Sequence, residues 1–183
     1  MTFTEKWNAT VDFPGLLEKM GEDLEQEHLE DTPERVMRSW REFLSGYLQD
    51  PQIIFANVFE AEGTGLQICR NIEFVSTCIH HCVPFFGLAH IGYVPKDGLA
   101  GLSKLSRIVD CYSRRLNIQE RMTQQIADAI QEYLDPIGVL VITKAHHLCC
   151  MGRGINRMRL DYVCSAQHGE IESSLYHTLL GGA

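Results

Sequence analysis

The chain is 183 residues long, which fits one domain, or one domain with a helical extension, and buries a core without needing a metal merely to fold. Its 45% hydrophobic and 22% charged residues are ordinary for a globular protein, and a formal net charge of −8 argues against a nucleic-acid surface while allowing a small anionic ligand on a local basic cluster. No apolar run is long enough for a membrane span and MTFTEKWNATVDF lacks signal-peptide features, so a cytoplasmic protein is expected.

Residues 1–50 read as helical and acidic. GLLEKMGEDLEQEHL carries Leu16, Leu17, Met20 and Leu24 on one stripe. In EDTPERVMRSWREFLSGY, Asp31 or Thr32 caps a helix with Pro33 in its first turn. Val36, Trp40, Phe43, Leu44 and Tyr47 follow at helical spacing, and Gly46 lies near the stop. Arg35 and Arg38 share another face, by residue type a solvated basic edge. From about residue 52 to 96, IIFANVF, LQICRNIEFVS and GLAHIGYVP read as strands, and PKDG as a turn. Ser103 then caps a helix, SKLSRIVDCYSRRL, striped by Leu105, Ile108, Val109 and Tyr112. A second helix, QERMTQQIADAIQEYL, uses Met122, Ile126, Ala129, Ile130 and Tyr133 and stops at Asp135-Pro136 with Gly138. GVLVITKAHHLCC, 138–150, reads as a buried strand. This order predicts an α+β fold with helices packed on one side of a largely antiparallel sheet.

Seven cysteines, at 69, 78, 82, 111, 149, 150 and 164, are an odd and unevenly spaced set, unlike a disulfide framework. In a reducing compartment, thiols beside histidines read as metal ligands or small buried hydrophobes. TCIHHC, 77–82, offers Cys78, His80, His81 and Cys82. Strand alternation over 139–150 puts His147 and Cys149 on one face, with His146, Leu148 and Cys150 on the other. Cys78, His81 and Cys149 form a Cys2His set with one position open, as in catalytic zinc sites. His80 and His147 then stand beside the ion, free to move protons. Cys82 and Cys150 are rival ligands by spacing, which leaves a closed Cys3His structural site open as well. Ser103, Lys104 and Arg107 gather where a helix N-terminus favours anions. Gln119 and Glu120 open the next helix; Glu120 suits the helix dipole, and, facing a pocket, could accept two N–H bonds from a guanine edge.

CIHHCVPFFGLAHIGYVP, GLSKLSRIVDCYSRRLNIQERMTQQIADAI and HHLCCMGRGI, with DTPERV and SGY before them, resemble GTP cyclohydrolase I over about residues 30–155. The resemblance implies a T-fold domain at 51–183 behind the 1–50 helical extension: antiparallel sheet with paired helices, subunits assembled around a β-barrel tunnel, and a homodecamer with active sites between subunits. It implies hydrolysis of GTP to 7,8-dihydroneopterin triphosphate and formate, with Zn2+ on Cys78, His81 and Cys149 activating water for C8. His80 would protonate the purine imidazole and His147 the ribose ring oxygen. Gln119 and Glu120 match guanine-holding residues. Ser103, Lys104, Arg107 and Arg153 match triphosphate or ribose contacts, and Arg35 and Arg38 match basic residues from another subunit. Three stretches depart from the family, one of them HHLCCMG, where an extra thiol and imidazole sit next to the mapped ligands. Ile79 stands where the family carries an acid, and Arg159 to Cys164 replace a Thr-rich segment, so that Tyr162, Val163 and Cys164 reshape that wall. These departures leave as alternatives a divergent paralog that opens the ring of GTP or another purine nucleotide without completing the pterin, and a non-catalytic zinc-stabilised assembly.

Overall fold

The computed structural model describes residues 13–23, 25, 28–63, 65–172 and 174–181. Helix α1, Phe13–Lys19, is short. Met20 is 69% exposed and Gly21 turns left-handed at φ 89°, so the expected stripe breaks after Leu17, the one buried residue of the helix. Leu24 lies outside the described residues. Helix α2, Thr32–Phe43, starts at the predicted place, with Asp31 as N-cap and Pro in the first turn. The Asp31 carboxylate does not cap backbone N–H groups, however; it pairs with Arg35 at 2.9 Å. A 3-10 turn, Ser45–Leu48, follows. Gly46 is needed there because a Cβ would stand 2.4 Å from the Cys111 carbonyl oxygen.

The expectation of a strand at IIFANVF is corrected. Pro51–Phe55 is a helical turn, α3, capped by the Asp50 side chain on the Gln52 N–H, and it buries Ile54 and Phe55. The Pro at its first turn and the Asp before it are helix-start signals that outweigh β-branched composition. A two-residue strand β1, Phe59–Glu60, follows and pairs with β4, Gly98–Leu99.

The main sheet contains β2 (Gln67–Cys78), β3 (Pro84–Val94), β5 (Leu116–Asn117), β6 (Gly138–His147) and β7 (Tyr162–Gly169), in the order β5-β2-β3-β6-β7. All pairings are antiparallel except the short β2–β5 contact. β3 and β6 approach closely where Gly87 faces Ala145; a Cβ on Gly87 would fall 1.9 Å from the Lys144 carbonyl oxygen.

Helices α4 (Leu102–Ser113) and α5 (Gln119–Leu134) cover one face. Their predicted stripes are buried, with Leu105, Ile108, Val109, Met122, Ile126 and Ile130 packed on Val139 and Val141. Each such aliphatic side chain contributes about 1.5–3 kcal/mol by leaving water. Gly101, not Ser103, is the N-cap of α4; Ser103 lies inside the first turn and makes no cap bond. The predicted 138–150 strand ends at His147, and Leu148–Met151 forms a helical turn, α6. A C-terminal helix, α7 (Ser174–Gly181), lies against the opposite sheet face, where Leu175 and Leu179 cover Leu140 and Ile142. The architecture is the expected α+β T-fold, with that helix added. No described helix is long and apolar enough to cross a membrane.

Candidate active site

The site forms where β2, β5 and β6 end and α5 begins. Cys78 is the last residue of β2, and the chain reverses through 79–83 before Pro84 opens β3. The reversal is held by Cys82 N–H on the Cys78 carbonyl (2.8 Å) and Cys78 N–H on the Val83 carbonyl (2.9 Å), with Cys82 left-handed at φ 53°. The Ile79 N–H donates to the Asn117 carbonyl (3.0 Å), which ties the loop to β5; its side chain is 41% exposed. This turn brings His81 Nδ1 to 3.5 Å from Cys78 Sγ. From β6, the helical turn α6 swings Cys149 in, so Cys149 reaches the cluster by a helical bend and not by strand alternation with His147. The donor atoms of Cys78, His81 and Cys149 all lie within 4.8 Å of one another. Zinc bonds of roughly 2.0–2.3 Å give tetrahedral donor separations of roughly 3.3–3.8 Å, so two thiols and an imidazole here fit that ion. Neither rival ligand joins the cluster: Cys82 is exposed, and Cys150 Sγ contacts Cys149 Sγ at 4.0 Å. Burial first, then the Cys150 contact and the nearby Cys78, push the Cys149 thiol up to about 11. A shared cation would reverse that bias, because it favours thiolates.

A cavity of about 180 Å³ opens beside the cluster, lined by His80, His147, Gln119, Glu120, Phe85 and Asn117 along with the three donors. His147 stacks flat on Phe85, its cross-strand partner, with ring centroids 4.9 Å apart and planes 5° from parallel. Burial lowers the His147 pKa, the Glu120 carboxylate acts against that shift, and His146 adds to it. His80 is exposed at the rim.

Gln119 is 1% exposed, and its amide nitrogen donates to the Thr143 carbonyl (3.1 Å), the Thr143 hydroxyl (3.0 Å) and the Tyr162 carbonyl (3.0 Å). Its Oε1 is buried without a partner. Glu120, in the first turn of α5, is exposed toward the cavity where the helix dipole favours its charge. Tyr162, which the sequence left without a role, sets its ring edge-on to His147, with centroids 6.3 Å apart. The neighbouring Glu120 carboxylate, chiefly, raises the Tyr162 pKa. Cys164 beneath it is pushed up to about 11 by burial and by the Glu120 charge. The only sequence signal for these two was the altered 159–164 segment, because their contacts depend on β7 lying beside β6.

The remaining candidates do not line this cavity. Ser103, Lys104 and Arg107 lie in the first half of α4, while its C-terminal end leads to Asn117 at the cavity. A helix of this length spans roughly 18 Å. Lys104 Nζ donates to the Ile54 carbonyl (2.7 Å), and Ser103 and Arg107 are exposed. Arg35 and Arg38 are exposed on α2, and Arg153 is exposed just beyond α6.

Known proteins resemble this chain over most of its length. The family model described as GTP cyclohydrolase I matches residues 9–178. The GTP cyclohydrolase 1 of Wolinella succinogenes is 46% identical over 151 residues, covering 82% of this chain and 81% of that protein. That of Deinococcus radiodurans is 45% identical over 171 residues, covering 93% of this chain and 75% of that protein. Among solved structures, the apo form of the archaeosine synthase QueF-Like superposes with a TM-score of 0.51 at 15% identity, covering 61% of this chain and 100% of that one; this likeness bears on the fold alone.

Proposed function

The chain belongs to the GTP cyclohydrolase I family, and from that premise we propose that it hydrolyses GTP to 7,8-dihydroneopterin triphosphate and formate. Water adds at C8 of the purine, the imidazole ring opens, formate leaves, and the rearranged ribose closes the pterin. The observation that carries this reading is the convergence of Cys78, His81 and Cys149 with His80, His147, Gln119 and Glu120 on one cavity.

Cys78, His81 and Cys149 would hold a zinc ion, whose preferred donors they supply, leaving a position open. When bound, zinc supplies Lewis acidity that makes water nucleophilic near neutral pH. The protein's own groups do the rest. Glu120 accepts the N1–H and the exocyclic amine of guanine, and the unpartnered Gln119 Oε1 is a further acceptor at the base. His80, at the rim, delivers a proton to the purine imidazole nitrogen. His147, held neutral by burial, takes up a proton first and then passes it to the ribose ring oxygen.

The cavity is smaller than the roughly 300–1,000 Å³ of a site enclosing a whole ligand. It suits the base and leaves the triphosphate outside. Ser103, Lys104, Arg107, Arg35 and Arg38 cannot complete it from this copy if they serve the phosphates, since α4 separates three of them from the base. We therefore infer a homo-oligomer, a decamer by family, in which neighbouring copies bring these residues to the triphosphate beside Arg153. The seven free cysteines suit a reducing cytoplasm.

The test combines metal analysis with product analysis. About one zinc per chain, formate release and a pterin fluorescent after oxidation are expected from GTP. A GTP-derived product without pterin fluorescence and with formate retained would instead point to ring opening alone. A folded, metal-free protein would overturn the site as described.

A further inference from the structure

We propose that Cys150 is a peroxide-sensitive modification site: its thiol is oxidised to a sulfenic acid, which then joins Cys149 in a disulfide and takes that ligand away from the cluster. The consequence for the metal rests on the reading of Cys78, His81 and Cys149 as zinc ligands; the oxidation itself does not.

Cys150 is the extra thiol of HHLCCMG, and the proposed reaction has no use for it. The helical turn α6 sets it beside Cys149, with the two Sγ atoms 4.0 Å apart. Both cysteines are half-buried, and they open on different spaces. Cys149 lines the cavity of His80, Gln119 and Glu120, whereas Cys150 lines an adjoining recess of about 250 Å³ with His147, Leu160 and Tyr162. Hydrogen peroxide, small and uncharged, reaches Cys150 from that recess without displacing substrate or a ligand atom. Cys150 also lies outside the three-donor cluster, so its sulfur shares no lone pair with a metal and stays free to react.

The Cys150 sulfur attacks one peroxide oxygen, the O–O bond breaks, and the departing hydroxide leaves as water with the thiol proton. Cys149, as its thiolate, then attacks the oxidised sulfur. An S–S bond forms, the S–O bond breaks, and the second oxygen leaves as water with a proton from solvent. Two sulfurs are oxidised and one peroxide is reduced. The sulfurs close to about 2.05 Å, and neighbouring Cα atoms lie about 3.8 Å apart, nearer than the roughly 4.4–6.8 Å of ordinary disulfides. The four-residue turn α6 therefore opens as the bond forms. A bond under such strain is readily reduced, so thiols reverse the step. While it lasts, Cys78 and His81 remain alone, short of the three protein ligands of a catalytic zinc site.

The experiment treats the full-length, zinc-loaded chain with hydrogen peroxide and follows metal release with a chromogenic chelator. The protein is then alkylated and digested with trypsin. Peptide 145–153, AHHLCCMGR, carries Cys149 and Cys150 and no other cysteine, so a disulfide between them stays within one peptide. That peptide should escape alkylation and become lighter by two hydrogens in step with zinc loss. Dithiothreitol with added zinc should restore the peptide, the metal content and formate release. Cys150→Ser should keep its zinc through the same treatment, while Cys82→Ser, which removes an exposed thiol off the cluster, should behave as the parent does. A Cys150→Ser chain that loses zinc as fast as the parent overturns the proposal. So does a peptide pair joining Cys149 to Cys78, or Cys150 carried on to sulfinic acid with the zinc retained. The parent's peptide masses decide the matter even if Cys150→Ser does not fold. If the purified chain takes up no zinc, the metal reading fails, and peptide 145–153 still shows whether the two thiols join.

Discussion

Gln119→Glu replaces one amide nitrogen by oxygen in a side chain that is 1% exposed, and leaves its shape intact. The amide now donates to two carbonyl oxygens and one hydroxyl at 3.0–3.1 Å. In the variant a carboxylate oxygen faces those same carbonyls. Two donated bonds, each worth about 1 kcal/mol net, are lost. The buried charge has no cationic partner in its place, and uncompensated charges of this kind cost about 3–5 kcal/mol. The loss at pH 7.5 is therefore about 3–5 kcal/mol, since the acid escapes part of the charge penalty by holding its proton. For a chain of this size, that corresponds to a melting point lower by about 6–20 °C. The sign with pH follows: the folded-state acid keeps its proton more tightly than the unfolded one, so the deficit grows as pH rises and shrinks as it falls. Differential scanning fluorimetry at pH 5 and 7.5, with Gln119→Leu as the uncharged comparison, measures it. A Gln119→Glu protein that melts within about 2 °C of the parent at pH 7.5 would refute the assignment of the amide nitrogen to Thr143 and Tyr162.

His80→Ala should retain its zinc and lose about 10²–10⁴-fold in turnover, whereas Cys149→Ser should lose the metal; elemental analysis beside formate release separates the two. His90 is 7% exposed, and its neutral Nδ1 accepts the Asn71 N–H at 3.3 Å. Burial, with the Arg70 charge, holds its pKa below the ordinary 6.5. The unfolded chain thus protonates first: the His90 contribution is whole above about pH 6.5 and is lost as pH falls below it, and denaturant titrations of parent and His90→Gln from pH 7.5 to 5 should show the parent losing more stability. Gly87→Ala should yield no folded protein, because its Cβ would sit 1.9 Å from a carbonyl oxygen of the central ladder; a near-parental circular dichroism melt would contradict that contact.

Long periodic segments were legible in the sequence. The α4 and α5 stripes and the β3 and β6 runs each bury a continuous face, and such patterns survive into the tertiary structure because burial is what they encode. The Pro51–Phe55 turn was misread since five residues carry too little periodicity to outvote β-branched composition. The α6 turn was misread because a strand's hydrophobic run continues into Leu148 without punctuation. Cys78 and His81 were legible as a pair because one tight loop supplies both. The Tyr162 contacts with Gln119 and His147 were not, since they depend on which strand lies beside β6, which is long-range information. The C-terminal helix was not anticipated, although Leu175 and Leu179 lie four apart.

That helix makes β6 a strand buried on both faces. Leu175 presses on Gly92, where a Cβ would stand 2.8 Å from its Cδ2, so the helix and the central strands are fitted to each other at backbone range. A chain ending before Ser174 would present Leu140 and Ile142 to water as a bare apolar strip on the sheet's outer face. Its first symptom would be colloidal, clumping at concentrations where the full chain stays dispersed, before any change at the cysteine cluster on the far side of the sheet.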